Sequence, residues 1–245
     1  MTSYTMKVFT LNQIHSEIVG KKFLAILEKN HFTPEKMGTY EPLRKEFSAP
    51  EFINLWTEES EGCYEENVGM VGKAGGIMAR RKSPYFYVLM NWWLCPGKSN
   101  LNHISFIFTA KTMRNHRAEV LNVFQETVEL VNGVYGYITH EEPEERQHVT
   151  GTLYTRIPGV FWCNYYGDIY MNFFGKKLIT SYSWFRAETV SNGLLTFLSE
   201  NPDELIKDNF LELKAQEYLG IDSFGDQAEH QKDPFTTQVR SVPKI

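Results

Sequence analysis

The 245 residues predict an α+β protein with a mainly antiparallel sheet flanked by helices. Three observations lead there. Hydrophobic residues make up 42% of the chain and charged residues 22%, enough apolar material for a packed core. Strand-like stretches follow one another in runs and do not alternate strictly with helices, which disfavours a parallel βαβ arrangement. Helical periodicity is confined to a few segments between those runs. Strands around a helix recur loosely in two similar halves, expected at 1–140 and 150–220 as one globular unit with a polar tail at 221–245. No residue-by-residue repeat accompanies that likeness.

Taken in order, the chain opens on a short polar start. Ile14, Ile18, Phe23, Leu24 and Leu27 then recur at about helical spacing, and Asn30 with His31 closes a helix over 12–29. Pro34, Pro42 and Pro50 break the next forty residues into short pieces, with a helical turn or two at 50–56 begun by Pro50. From Gly69 the pattern changes. Gly75 and Gly76 lead into a strand at 77–81, Ser83-Pro84 turns the chain, and 85–94 returns as a second strand. There Tyr85, Tyr87 and Leu89 face one way while Phe86, Val88 and Met90 face the other, so both faces read as buried. A third strand at 103–109 alternates Ile104, Phe106 and Phe108 with other residues. Met113, Val120, Leu121, Phe124, Val128 and Val131 predict one helix over 111–132 with Gly133 as its cap, and 134–139 reads as a strand.

A charged loop, 140–146, joins the halves. Beyond it, 158–166 reads as a strand start, Asp168 as the cap of a short helix over 169–174, and 177–180, 181–188 and 194–198 as strands. Asn201-Pro202-Asp203-Glu204 opens a helix to Leu219, and 221–245 reads as a loosely held tail.

Composition narrows the function. Acidic residues outnumber basic ones by 30 to 25, giving a net charge of -5 and a pI near 5.8. Nucleic acid is not an expected partner, because neutralising phosphates requires a basic footprint. Residues 1–10 hold no apolar leader and no window offers roughly 18 uninterrupted apolar residues, so no membrane is expected and the protein is placed in the cytoplasm. Cys63, Cys95 and Cys163 are odd in number, widely spaced and never paired as CxxC, which predicts reduced thiols over a disulfide framework or a zinc site.

Chemical motifs fall short one by one. Gly69-x-x-Gly72-Lys73-x-Gly75-Gly76 resembles a phosphate loop, but Ala74 follows the lysine and a strand comes after it, so a flexible turn into the hairpin is the reading. His140-Glu141 opens like a zinc-protease motif whose second histidine is missing, since position 144 is glutamate. Cys163 sits in an aromatic stretch and no GxSxG elbow is present. Arg80-Arg81-Lys82 followed by Tyr85, Tyr87, Trp92 and Trp93 has the composition of a nucleic-acid surface, yet the strand spacing favours core packing.

The densest motif is Pro158-Gly159-Val160-Phe161-Trp162-x-Asn164-Tyr165-Tyr166-Gly167-x-x-Tyr170-x-x-Phe173-Phe174-Gly175. It resembles the PGxxWxNYFGxxYxxxxG segment of bacterial immunity proteins from polymorphic-toxin systems, in particular the immunity protein 52 family and related type VI immunity proteins. Gly76-Ile77-Met78-Ala79-Arg80 and His103-Ile104-Ser105-Phe106 are similar to their earlier half, so the resemblance spans most of 10–220. It implies a non-catalytic protein without a cofactor or metal that binds a cognate protein toxin and neutralises it by occlusion. The acidic surplus suits a basic toxin, and the expected contacts are Glu58, Glu59, Glu65 and Glu66 together with Glu141, Glu142, Glu144 and Glu145. Two alternatives stand beside it. One is a small metal-dependent hydrolase or nucleotide-handling enzyme using His140, His148 and nearby carboxylates, and the other is a phage-related interaction protein.

Overall fold

Residues Ser3–Thr10 alternate half-buried and buried positions along their whole length and form the first strand, β1. Tyr4, Met6 and Val8 point into the core while Ser3, Thr5, Lys7 and Phe9 point away, so the start that reads as polar is a sheet strand with its polar residues on the outer face. The computed structural model describes residues 2–66 and 68–245. Contacts divide the chain into two units, Ser3–Gly133 and Val134–Ile245.

In the first unit, α1 (Glu17–Lys29) starts at Ser16, whose hydroxyl accepts from the Val19 N–H. It packs against α2 (Ala49–Thr57), which carries Pro50 in its first turn as expected. The two helices approach closely at Gly20, where a Cβ would stand 2.9 Å from Cγ of Trp56. Short strands β2 (Lys36–Gly38) and β3 (Lys45–Glu46) precede α2 in sequence, and β4 (Ser60–Glu65) follows it. The large strands are β5 (Gly69–Lys82), β6 (Tyr85–Leu94) and β7 (Asn102–Thr109). Spatial order runs β1-β7-β6-β5-β2-β3, with β4 also on β5, and every pairing within the unit is antiparallel. The α+β expectation therefore holds. Phe23 of α1 touches both Trp56 and Phe106, and Phe32 meets Phe86 and Phe108, so aromatic rings stitch the helices to the sheet.

Several expectations are corrected here. The glycines at 69–76 lie inside β5 and form no flexible turn; a Cβ at Gly75 would meet the Trp92 ring at 2.5 Å, so the strand needs glycine to let that indole pass. The single helix over 111–132 is two, α3 (Ala110–Asn115) and α4 (Arg117–Val131), broken at His116 where φ reaches -133°. Its left-handed cap is Asn132, with φ 50°, and Gly133 follows by donating to Val128. Cys63 and Cys95 form a disulfide across 6.0 Å between Cα atoms. The 32 residues separating them hide a pairing that the β4–β5–β6 meander creates, and only Cys163 remains a free thiol among the described residues.

The strands of the second unit lie in the order β10-β11-β9-β8, each pair antiparallel. Its strands are β8 (Tyr135–His140), β9 (Cys163–Tyr166), β10 (Arg186–Val190) and β11 (Gly193–Phe197). The charged loop is instead helix α5 (Glu141–Arg146); Pro143 sits in its first turn, where no N–H is missed, and the His140 ring caps it by accepting from Glu142 N–H. Only 163–166 of the expected 158–166 strand joins the ladder. Before it, the Gln147 side chain bonds both N–H and C=O of Val160, and Asn164 accepts from Phe161 N–H, so side-chain amides replace strand partners. Helix α6 (Asp168–Phe174) is capped by Gly167, not Asp168. The segment expected as a strand at 177–180 is helix α7 (Lys176–Ser181), where Thr180 bonds back to the Lys176 carbonyl, and only 186–188 of the expected 181–188 strand is in the sheet, at the start of β10, which runs on to Val190. The helix expected from Asn201 is a short 3-10 turn at Pro202–Leu205 followed by α8 (Phe210–Leu219). The tail is pinned: it forms α9 (Gln227–Lys232), and Gln238, Arg240 and Ser241 donate to Thr150, Thr155 and Asp222 carbonyls.

Replacing Cys63 and Cys95 together by serine should lower unfolding stability by about 3–4 kcal/mol, the chain-entropy value for a loop of this length, read as a lower urea midpoint under non-reducing conditions.

Candidate functional site

Pleating sends successive side chains of a strand to opposite faces, and in the first unit the two faces differ sharply. Tyr4, Met6, Val8, Phe86, Val88, Met90, Ile104, Phe106 and Phe108 are buried on the helix-covered face. The opposite face presents Phe9, Tyr85, Tyr87, Leu89, Trp93 and His103, all half-buried, around Ile107, which is 42% exposed. The expectation that both faces of the 85–94 strand are buried is therefore corrected for one of them. Register sets the rows: Thr5, Ile107, Tyr87 and Arg80 lie side by side across β1, β7, β6 and β5, next to a row of Lys7, Ser105, Leu89 and Met78. Phe9, His103, Asn91 and Gly76 form a third.

Burial, and to a lesser degree Lys7, pushes the His103 imidazole down to about 4, so it is neutral across the physiological range. It stacks on Trp93 with centroids 5.7 Å apart and lies 5.9 Å from Phe9, and it behaves as a third ring of the cluster. Burial and neighbouring Glu41 push the Tyr87 hydroxyl up to about 12, which keeps it a donor. No carboxylate projects from this face of β1, β5, β6 or β7, whereas Lys7 and Arg80 do.

At one margin of the face a cavity of about 320 Å³ opens, lined by Glu58, Glu59, Ser60, Gly75, Gly76, Leu89, Asn91 and Trp93 among others. Two of the predicted glutamates are thus brought together at the site. Glu59 pairs with Lys73, and Glu58 is exposed at the end of α2. Glu65 and Glu66 stand at the β4–β5 turn, with Glu65 paired to Lys98 at 3.2 Å. The other four ride on α5 in the second unit, where Glu142 and Glu145 are exposed and Glu144 accepts from Tyr137 OH at 2.9 Å. The glutamates form no single cluster within either unit. His140 is buried as the α5 cap, and His148 meets His230 edge-on. Among the described residues no three His, Cys, Asp or Glu side chains gather in a metal-binding set.

The dense aromatic motif builds the interior of the second unit. Trp162 donates to the Ser199 carbonyl, Asn164 donates to Tyr135 OH, and Tyr135 OH donates to the Gly159 carbonyl. Tyr165 OH donates to Asn192, while the Tyr166 and Tyr170 hydroxyls are buried with no hydrogen-bond partner.

A second cavity, of about 460 Å³, lies in the same unit. Its wall holds Glu212 of α8, a side chain 1% exposed that pairs with Arg146 at 2.8 Å, and Gln216, which donates to Gln147. Burial raises the Glu212 carboxyl to about 7 despite the opposing hydrogen bond and charge of Arg146, with Asp208 adding to the rise. Sequence reading missed both this pair and the open sheet face. Alternation in 3–10 could have signalled β1, but nothing local links Arg146 to a glutamate 66 residues away.

No protein-family model and no curated protein sequence matches the chain. Among solved structures, the Pseudomonas aeruginosa type VI secretion system (T6SS) protein PA0821 is similar in fold, with a TM-score of 0.59 and 12% identity over 89% of this chain and 72% of that one. No described helix is long and apolar enough to cross a membrane.

Because the Glu212 carboxyl is raised in the folded state, the folded protein holds its proton more tightly than the unfolded chain. Stability should therefore fall by up to about 3 kcal/mol as pH rises from near 4.5 through about 7. Urea titrations at pH 5 and 8 should show that loss, and Glu212→Gln should abolish most of it.

Proposed function

We propose that this chain is a non-catalytic immunity-type protein that binds a cognate bacterial toxin and neutralises it by occlusion, with the open sheet face of the first unit as the seat. The carrying observation is that face itself: Phe9, Tyr87, Leu89, Trp93 and Ile107 held side by side on rigid strands and left partly accessible. Aromatic and apolar anchors at the centre of a patch supply most of the energy of protein interfaces, and strands already in place lose little entropy on binding. The fold likeness to a type VI secretion protein and the sequence resemblance to immunity proteins support the same reading. Glu58 and Glu59 stay in the proposal as the rim of the adjoining cavity. The Cys63–Cys95 disulfide favours an oxidising compartment over the cytoplasm.

The test is co-expression with toxins encoded beside the gene. The wild-type chain should restore growth, while Ile107→Arg and Trp93→Ala should each weaken toxin binding by at least tenfold and together abolish rescue, with thermal unfolding unchanged for Ile107→Arg. Full rescue by the double variant would exclude this face, and absence of rescue by the wild-type chain with any neighbouring toxin would sink the immunity reading.

A further inference from the structure

The outer edge of β5 is covered by two strands that do not meet. β4 pairs with it as far as Ala74 and β2 takes over at Met78, so Gly75, Gly76 and Ile77 lie between the two ladders. The cavity of about 320 Å³ opens at that gap, with room for one side chain. Gly76 keeps its floor clear, because a Cβ there would stand 2.5 Å from Asn91 Oδ1. Leu89 and Trp93 belong to both the cavity and the open face, so a protein seated on the face brings its own side chains to the cavity mouth.

The wall offers acceptors that the chain itself leaves unused. Asn91 Nδ2 lies 3.4 Å from His103 Nε2, and the neutral imidazole accepts that N–H, which leaves Asn91 Oδ1 over Gly76. That oxygen receives no hydrogen bond among the described residues. The Glu58 carboxylate has no ion pair or hydrogen bond among them either: Lys45, whose charge it feels, bonds Glu51, and Lys73 pairs with Glu59. Trp93 adds the electron-rich face of an indole. Glu58 is exposed and Asn91 and Trp93 are half-buried, so all three are reached from solvent, and no Lys, Arg or His lines the cavity. A carboxylate, an amide oxygen and a ring face suit a flat cation that donates in several directions, which is a guanidinium more than an ammonium. We infer that this cavity takes the guanidinium of an arginine side chain presented by the protein that seats on the open face, its N–H groups donating to Glu58 and Asn91 Oδ1 and its plane lying against Trp93. The source of that arginine rests on the toxin-binding reading; the cavity's preference for a guanidinium is tested without any toxin.

Titration of the ¹⁵N-labelled full chain with capped arginine (Nα-acetyl-arginine amide), capped citrulline and capped lysine tests it by chemical-shift mapping. Capped arginine should give saturable shifts at Gly75, Gly76 and Asn91 at millimolar concentration. Citrulline, of the same shape without the charge, and lysine, charged but not planar, should each bind more weakly. Glu58→Gln, at an exposed position, should weaken capped arginine about fivefold, the upper end for an exposed ion pair, and Glu58→Lys should abolish the shifts. A toxin encoded beside the gene assigns the source: Glu58→Gln should weaken its binding to a similar degree, whereas Ile107→Arg, outside the cavity, reports on the face alone. Equal binding of citrulline or lysine, no saturable shift with capped arginine, or unchanged affinity in Glu58→Lys would each overturn the cavity's assignment, even where Ile107→Arg abolishes toxin binding. Arginine-specific shifts beside a toxin affinity untouched by Glu58→Lys would overturn the seated protein as the source. If the wild-type chain binds no neighbouring toxin, that source falls together with the toxin-binding reading, while the titration still decides the cavity.

Discussion

The two-residue repeat of an extended chain is the constraint on which the first unit depends. Once Val88, Phe106 and Val8 are committed to the helices, Tyr87, Ile107 and Lys7 must project the other way, whatever their polarity. A slip of one residue in β6 would exchange the two sets, sending Tyr87 and Leu89 under Phe23 and Phe32 and leaving Phe86 in water. The core face is therefore what holds the outer rows in register, and the outer face inherits its geometry without contributing much to it. This division explains how a surface rich in rings can be tolerated by the fold and still be available for another purpose.

Much of the architecture was legible because it rests on local periodicity. The helix at 17–29 and the strands at 85–94 and 102–109 announce themselves through spacings of 3.6 and 2. What escaped depends on partners distant in sequence. β1 is short of apolar residues because half its positions face outward, and its role is visible only when Met6 is seen opposite Phe106. The helix at 176–181 carries Ile179 and Thr180, residues that read as strand formers, yet Ile179 is fully buried and tertiary packing overrides its preference. The candidate site was half legible. Glu58 and Glu59 stand at its rim, but the open face they border is visible only once the strands are set in register.

The second unit shows why a dense motif need not be a site. Asn164 occupies the place where a strand is about to begin, and its amide serves two masters: it accepts from Phe161 and donates to Tyr135, which in turn holds the Gly159 carbonyl. One side chain thereby organises the approach of the irregular segment to β9. Trp162 extends the same logic to Ser199, beyond the end of β11. These residues are spelled out in the sequence because irregular backbone inside a protein must find each of its partners individually, whereas a ladder supplies them by repetition.

Tyr166 marks one small departure within that motif, since the immunity proteins it resembles carry phenylalanine there. Its ring lies among Tyr135, Phe174 and Trp184, and its oxygen touches no donor or acceptor. The two spellings are thus equivalent in shape and differ by a single idle atom. A hydroxyl enclosed by rings without a partner costs stability, so phenylalanine at this position keeps the outline and removes that cost.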